Sequence, residues 1–392
     1  MQSKIDLCLL PPHGTAEETA LFTMAQARNV QTFHAGIPGY APTPLHSLSA
    51  LAREIGVDQL CVKDESQRFN LNAFKSLGGS YCIAVYLAGE FGISPSELTY
   101  NRIHSLAQSG ALSGRSVVTA TDGNHGRGVA WAANAMGLAC HVYMPQGSAP
   151  ERLENIRRQN AQAEILPCNY DDAVRYAAKM AEENGWVLMQ DTEIAGSREH
   201  LLRLMQGYTT MGAELSEQWQ GKAPTHIFLQ AGVGSMAGAM AACLSDLWQT
   251  EKPLITVVES NQADCLYRTA QQDDGSLYTV GGSLDTIMAG LACGEPCAAA
   301  WKLLRAHAGA YLSVSDEVTM VGMRTLAHPF GKDTAIVSGE SGAVTTGTVI
   351  SLMQDARFAS IRDSLGLNQS SRVLVLSTEG ATDRANYARI VN

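Results

Sequence analysis

The chain has 392 residues, 45% of them hydrophobic and 17% charged, with a formal net charge of −10. That length and balance suit one large or two ordinary globular domains. The acidic excess argues against nucleic acid or an anionic membrane as partner, while leaving room for a small anion in a local pocket. The N-terminal apolar stretch ends at Pro11-Pro12, too soon for a signal-peptide core, and no apolar run reaches the roughly 20 residues of a membrane-spanning helix. A cytoplasmic protein is therefore expected. The nine cysteines contain no C-x-x-C pair, so neither a zinc cluster nor any other metal site is expected and the thiols should be mostly reduced. Cys265 and Cys293 could pair if their loops meet.

In chain order, the first 40 residues read as irregular, with one helical patch near 16–27. Pro42-Thr43-Pro44 opens an apolar-periodic segment through Leu51 and Ile55, as proline suits a first helical turn. A short strand at 59–63 leads through Lys63-Asp64-Glu65-Ser66 to Asn72-Ala73-Phe74-Lys75, followed by a helix to about Phe91. From Ser116 strands and helices alternate: strands at 116–120, 140–144, 163–166 and 186–189, with helices from 129, 149 and 171. A long helix is expected over 197–219, then strands at 225–230 and 254–259. Residues 260–295 are too polar for core and read as a functional loop region. Helix 298–307, strand 311–314, helix 315–327 and a continuous apolar strand at 372–377 complete the chain. The alternation implies βαβ units, hence an α/β fold with mainly parallel sheets. No boundary splits the chain cleanly, so two domains sharing interleaved segments are expected.

Four strand-end turns and one lysine carry the chemistry. Lys75 lies between Phe74 and Leu77, and a lysine desolvated by such neighbours has a lowered pKa. Its neutral amine is then a nucleophile toward carbonyls, pyridoxal phosphate among them. A surface lysine at a helix start is the plain alternative for that residue taken alone. The glycine turn Gly232-Val233-Gly234-Ser235-Met236 follows a strand and opens a helix, where backbone amides converge on a phosphate. The same turn satisfies G-x-G-x-x-A through Ala237, with Glu259 about 20 residues on, the pattern of a dinucleotide fold. Close helix packing by small residues is a third reading. Thr121-Asp122-Gly123-Asn124-His125-Gly126 offers amides, a carboxylate and an amide side chain together. Asn124 could bind a phenolate oxygen or simply serve the turn, and His125 reads as a helix-start residue rather than a metal ligand. A nicotinamide site has no use for this second anion cradle, whereas an amino acid joined to pyridoxal phosphate has a phosphate at one end and a carboxylate at the other. Ser338-Gly339-Glu340-Ser341-Gly342 and Ser377-Thr378-Glu379-Gly380 end two further strands with small hydroxylic residues. A hydroxyl facing a pyridine nitrogen leaves it unprotonated, which favours β-elimination over transamination.

Together these motifs resemble the fold-type II pyridoxal-phosphate enzymes, the group of serine/threonine dehydratases and tryptophan synthase β chains. Within it the chain is most similar to the diaminopropionate ammonia-lyases. The likeness runs from about Gly39 to near the C-terminus and includes Gln190-Asp191-Thr192, Met205-Gln206-Gly207-Tyr208, Gln230-Ala231-Gly232-Val233-Gly234 and Met288-Ala289-Gly290-Leu291-Ala292-Cys293-Gly294-Glu295-Pro296. It implies two open, mainly parallel twisted sheets flanked by helices, with a large cofactor-binding domain from 1–88 and 190–392 and a small domain from 89–189. It implies that Lys75 forms the Schiff base with pyridoxal 5'-phosphate and that Phe74 and Glu340 join the cofactor site. Asn124 would bind the phenolic oxygen, Gly232, Val233, Gly234, Ser235 and Met236 the phosphate, and Ser377 or Thr378 the ring nitrogen. Thr121, Gly123 and His125 would lie at the substrate carboxylate, and Asp122 and Asp191 would act on the substrate beside Lys75. The implied activity is β-elimination from 2,3-diaminopropionate to pyruvate and ammonia through aminoacrylate, by a homodimer acting on a small amino acid. Alternatives are a serine/threonine-type dehydratase or a β-replacement enzyme and, outside the class, an NAD-dependent dehydrogenase or a non-catalytic binding protein. Two departures bear on the substrate: Glu193-Ile194-Ala195-Gly196-Ser197-Arg198 stands where the lyases have a Trp and a Tyr after Asp191-Thr192, and Leu71 where dehydratases have a small residue.

Overall fold

The structure is a computed structural model that describes residues 3–121, 123–193 and 197–392. The described residues form eleven strands: β1 (Ile5–Leu9), β2 (Leu45–Ser47), β3 (Gln59–Asp64), β4 (Ser116–Ala120), β5 (Ala139–Met144), β6 (Gln162–Ile165), β7 (Val187–Leu188), β8 (His226–Gln230), β9 (Leu254–Ser260), β10 (Ala310–Val314) and β11 (Arg372–Ser377). The chain divides into two interleaved units, one of residues 1–24, 42–72 and 211–392, the other of 25–41 and 73–210.

The first unit carries a seven-stranded sheet in the order β1-β10-β9-β8-β11-β3-β2. Its five central strands are parallel, and β1 and β2 close the edges antiparallel. The central strands are buried along nearly their whole length, which is why they read as continuous apolar runs instead of alternating ones. Val62, Phe228, Val258, Leu312 and Val375 from these strands share a core with Val318, Met323, Val344 and Val349 of the helices Asp316–Ala327 and Glu340–Gln354.

Two local expectations change here. Residues 5–9 are a strand, not irregular, because β10 supplies a partner far away in sequence; the register runs from Ile5↔Val314 to Leu9↔Ala310. The segment 42–55 is helical only over Ser49–Ile55. Proline biases the residue before it toward extended backbone, and Leu45–Ser47 pairs with β3.

Behind β3 lies a buried ionic cluster. Lys63 Nζ donates to Glu214 Oε2 at 2.6 Å, to the Thr43 carbonyl at 2.7 Å and to Gln218 Oε1 at 2.8 Å. Arg68 grips Glu214 with both terminal nitrogens, at 2.7 and 2.8 Å, and Glu65 with Nε and Nη2, at 2.9 and 2.8 Å. Two cations thus meet two anions, and none of the four is more than 1% exposed. Phe69, Asn70 and Asn72, just beyond the cluster, all have positive φ, a conformation uncommon for side chains of this kind. Asn72 is held through its carbonyl, which accepts from Gly380 N at 2.9 Å.

The second unit has a four-stranded parallel sheet, β6-β5-β4-β7, covered in part by the helix Tyr170–Asn184 through Ala173, Val174 and Ala177. The helix Lys75–Glu90 packs against the helices Asn124–Ala135 and Arg198–Gly207. Glycines make this approach close. A Cβ at Gly128 would stand 2.8 Å from the Lys75 carbonyl carbon, and one at Gly78 2.9 Å from the Leu204 carbonyl oxygen. The packing places the unit boundaries at 72/73 and 210/211, where cuts at 88/89 and 189/190 were expected, because the Lys75 helix and its two neighbours form one body. The expected helix 197–219 is two helices, Arg198–Gly207 and Thr210–Gln218, broken at Tyr208 and Thr209. The Gln206 carbonyl there accepts from both Thr209 N and Oγ1.

Candidate active site

The proposed site residues fall into two groups, one in each unit. In the second unit, Lys75 is the first residue of its helix. Its side chain is 20% exposed, and Nζ donates to Asp191 Oδ2 at 2.6 Å. Nζ also lies 5.5 Å from the ring centroid of buried Phe74. Asp191 is delivered by Gln190, whose side chain extends the sheet pairing beyond β7. Gln190 Oε1 accepts from Ala120 N at 3.1 Å, and Nε2 donates to the Ala120 carbonyl at 3.1 Å. Burial opposes ionisation of Asp191, but the charges of His125 and Lys75 outweigh it and hold the carboxyl well below the usual range.

The turn after β4 is fastened from within. Thr121 Oγ1 accepts from Gly123 N at 2.9 Å and Gly126 N at 3.0 Å. Asn124 begins the following helix. His125 is buried, with Nε2 on the Met189 carbonyl at 2.9 Å and Nδ1 3.7 Å from Asp191 Oδ2. β4 and β7 are parallel neighbours, so their C-terminal ends bring the Thr121–His125 turn beside Asp191, where ligands bind in open α/β sheets. Asp122 and the altered residues 194–196 lie outside the described residues.

In the first unit, the glycine turn leaves β8 and enters the helix Ser235–Leu247 through Gly234 at φ +99°, a value that glycine adopts freely. The first amides of a helix have no intrahelical acceptor, and Gly232, Val233, Ser235 and Met236 flank this terminus. β11 is the hydrogen-bonded neighbour of β8, so Ser377 and Thr378 end at the same edge. Ser377 Oγ donates to Ser338 Oγ at 2.7 Å. Gln230 Nε2 donates to the Leu376 carbonyl at 2.9 Å and to Thr378 Oγ1 at 3.0 Å. A carbonyl can only accept, so Nε2 must face this way, and Thr378 accepts and keeps its own proton to give. Glu340 starts the helix Glu340–Gln354, and burial and the nearby Glu379 push its carboxyl up to about 6.

Three contributions were not legible as roles. Gln230 orients Thr378. Tyr208 stacks edge-on against Phe74 with centroids 4.8 Å apart and is buried with its hydroxyl unpartnered. His125, read as a plain helix-start residue, faces Asp191. The first two lie within the quoted motifs Gln230-Ala231-Gly232 and Met205-Gln206-Gly207-Tyr208, but neither residue type announces its partner.

Glu259 disposes of the dinucleotide reading. It is fully buried, and its carboxyl oxygens accept from Leu266 N at 3.0 Å and Tyr267 N at 2.6 Å. It therefore caps the helix Cys265–Gln272 and presents no carboxylate to a ribose. All nine cysteines are free thiols; Cys265 Sγ lies 3.7 Å from the Cys293 carbonyl. Among the described residues no cluster of metal-ligating side chains occurs, and no helix is long and apolar enough to cross a membrane.

Residues 37–370 match the family model described as pyridoxal-phosphate dependent enzyme. The chain is 44% identical over 383 residues to the diaminopropionate ammonia-lyase of Salmonella typhimurium, covering 97% of this chain and 95% of that protein. The crystal structure of the holo diaminopropionate ammonia lyase from Escherichia coli superposes with a TM-score of 0.92 at 40% identity, covering 100% of this chain and 97% of that one. The same E. coli enzyme in complex with an aminoacrylate-PLP azomethine reaction intermediate superposes with a TM-score of 0.90 at 40% identity, with the same coverage.

Proposed function

Because the chain belongs to the pyridoxal-phosphate-dependent enzyme family, in the branch of the diaminopropionate ammonia-lyases, we propose that it cleaves 2,3-diaminopropionate by β-elimination. Ammonia and aminoacrylate leave, and water converts aminoacrylate to pyruvate and a second ammonia. The observation that carries the reading is the Lys75–Asp191 pair, a largely buried amine held 2.6 Å from a carboxylate.

The residues fit a phosphorylated aldehyde. Lys75 offers the amine, and the Gly232–Met236 turn offers amides and the positive end of a helix to the phosphate. Asn124 offers an amide to the phenolic oxygen, with Phe74 and Glu340 as further cofactor contacts. Thr378, which accepts from Gln230, has a proton to give the ring nitrogen; Ser377 already donates to Ser338. Bound through Lys75, pyridoxal 5'-phosphate supplies the electron sink that acidifies the substrate α-carbon.

Lys75 Nζ takes the α-proton of one isomer, and Asp122 that of the other. Asp191, already placed against the Lys75 amine, stands at the substrate β-nitrogen, where it or Asp122 protonates the leaving amine. Thr121, Gly123 and His125 lie at the substrate carboxylate, with Thr121 Oγ1 keeping the turn closed through the Gly123 and Gly126 amides. The first unit is the cofactor-phosphate body, and the active species is a homodimer in the cytoplasm.

The purified enzyme should absorb near roughly 410–420 nm, as a lysine-bound pyridoxal does, and Lys75→Ala should abolish the band. Pyruvate and ammonia should form from DL-diaminopropionate well ahead of serine or threonine. A colourless protein saturable with NAD would overturn the class. Turnover of serine without diaminopropionate would overturn the substrate and make the enzyme a dehydratase. Sedimentation tests the dimer.

A further inference from the structure

The motif around His125 read it as a helix-start residue, and the family resemblance put it at the substrate carboxylate; neither gives it a proton-transfer task. Its surroundings set its protonation. The Met189 carbonyl only accepts, so the 2.9 Å contact requires a proton on Nε2. A neutral ring would then turn the Nδ1 lone pair toward Asp191 Oδ2, 3.7 Å away, with both groups buried. A second proton on Nδ1 replaces that repulsion with an ion pair. The contact is longer than a hydrogen bond, as catalytic contacts often are before ligands bind. Lys75 Nζ approaches the same oxygen, Asp191 Oδ2, at 2.6 Å.

The other titratable groups around this helix start do not supply the charge. Cys82, on the Lys75 helix, touches Met189 Sδ at 3.4 Å and is pushed up to about 12 by burial, so it is a neutral thiol. Burial raises the Tyr208 phenol far above neutrality. Arg127 lies on the same helix as His125, and Arg152 approaches Gly123; both are cations and cannot accept a proton. Among the described residues, the groups seen to approach Asp191 and able to exchange protons with it are Lys75 and His125.

We propose that His125 is a positioning residue held as an imidazolium on Asp191, and that this pair is the proton store from which the substrate β-nitrogen departs as ammonia. The inference rests on the reading of Asp191 as the carboxylate at that nitrogen. A free β-amine cannot leave as an amide anion. A proton passes from His125 Nδ1 to Asp191 Oδ2 as Asp191 delivers one to the β-nitrogen. The Cβ–N bond breaks, and its electron pair leaves on ammonia. The electrons of the Cα–H bond become the Cα=Cβ bond, and their proton goes to Lys75 Nζ. From Lys75 it returns across Asp191 Oδ2 to His125, which closes the cycle without an outside donor.

Two measurements test this. In ligand-free wild-type protein with 15N-labelled histidine, the His125 signals, identified by their loss in His125→Gln, should show both ring nitrogens protonated at pH 7. In Asp191→Asn they should revert to the neutral Nε2–H form. A neutral ring in the wild type overturns the proposal, and this readout needs neither cofactor nor turnover. In the holoenzyme, kcat of His125→Gln should be compared for diaminopropionate and β-chloroalanine, whose chloride leaves without a proton. The diaminopropionate rate should fall by about 10²-fold or more, at least about tenfold further than the chloroalanine rate, with little change in KM. Equal losses would mean that His125 is scaffolding and overturn the proposal. If His125→Gln does not fold, His125→Asn serves in the same comparison. A wild type that turns over chloroalanine but not diaminopropionate refutes the substrate reading and the ammonia role together, while the nitrogen signals still report the pair.

Discussion

Replacing Glu214 with Gln tests whether the ionic cluster behind β3 is a balanced unit. Glu214 accepts from Lys63 at 2.6 Å and from Arg68 at 2.7 and 2.8 Å, with all three side chains at most 1% exposed. The substitution keeps shape and volume but leaves two buried cations facing Glu65 alone. Removing one partner of a buried pair costs about 3–5 kcal/mol, because the remaining charge is uncompensated. Burial by itself would raise the Glu214 pKa, yet Arg68 and Lys63 bring it down to about 2. A carboxyl whose folded pKa lies below its unfolded value near 4.3 stabilises the fold above that value and loses the contribution as pH falls toward 2. Urea unfolding followed by circular dichroism should therefore show the full deficit of Glu214→Gln from pH 7 down to pH 5, narrowing below about pH 4. Adding Lys63→Met removes the excess cation and leaves Arg68 opposite Glu65. The double variant should recover at least about 1 kcal/mol relative to Glu214→Gln. A single-variant loss below about 1 kcal/mol, or a Lys63→Met cost that simply adds to it, would refute the charge-balance argument.

Glu340→Gln should stabilise the protein at pH 8 by up to about 2 kcal/mol and leave it unchanged at pH 4, as read by urea unfolding. Its folded pKa of about 6 lies above the ordinary value, so the ionised form is disfavoured in the fold and the cost grows as pH rises from about 4.3 through 6. Gly347→Ala should cost about 3 kcal/mol, since its Cβ would stand 1.9 Å from the Val318 carbonyl oxygen between two packed helices. Gly281→Ala, where a Cβ meets nothing within 4 Å, should stay within roughly 0.5 kcal/mol. Glu259→Ala should cost about 1–3 kcal/mol by stranding the Leu266 and Tyr267 amides. Saturating NAD should shift the melting temperature of neither this variant nor the wild type; a rise would restore the dinucleotide reading.

The sequence by itself determined the parallel strands and the cofactor class. β3, β8, β9, β10 and β11 are buried on both faces, so their apolar runs carry the signal without help from a partner. The glycine turn at 232–234, Asn72-Ala73-Phe74-Lys75 and Thr121–Gly126 are local strand-end or helix-start motifs whose chemistry is written in adjacent residues. Tertiary structure decided what depends on distant partners. β1 exists because β10 pairs with it some 300 residues away, and β2 because β3 does. Glu259 matched a ribose-binding acid in spacing, yet the helix it caps turns it inward. That Thr378 accepts from Gln230 while Ser377 pairs with Ser338 depends on Gln230, which is oriented by acceptors at the end of another strand. The motif of His125 pointed to the substrate carboxylate and not to Asp191; its contacts with the Met189 carbonyl and Asp191 come from more than sixty residues on. The motif points to Lys75 as the cofactor lysine, but that its amine rests on Asp191 is a fact of packing: a charge is placed by the groups that surround it in space, and those come together only when the chain folds.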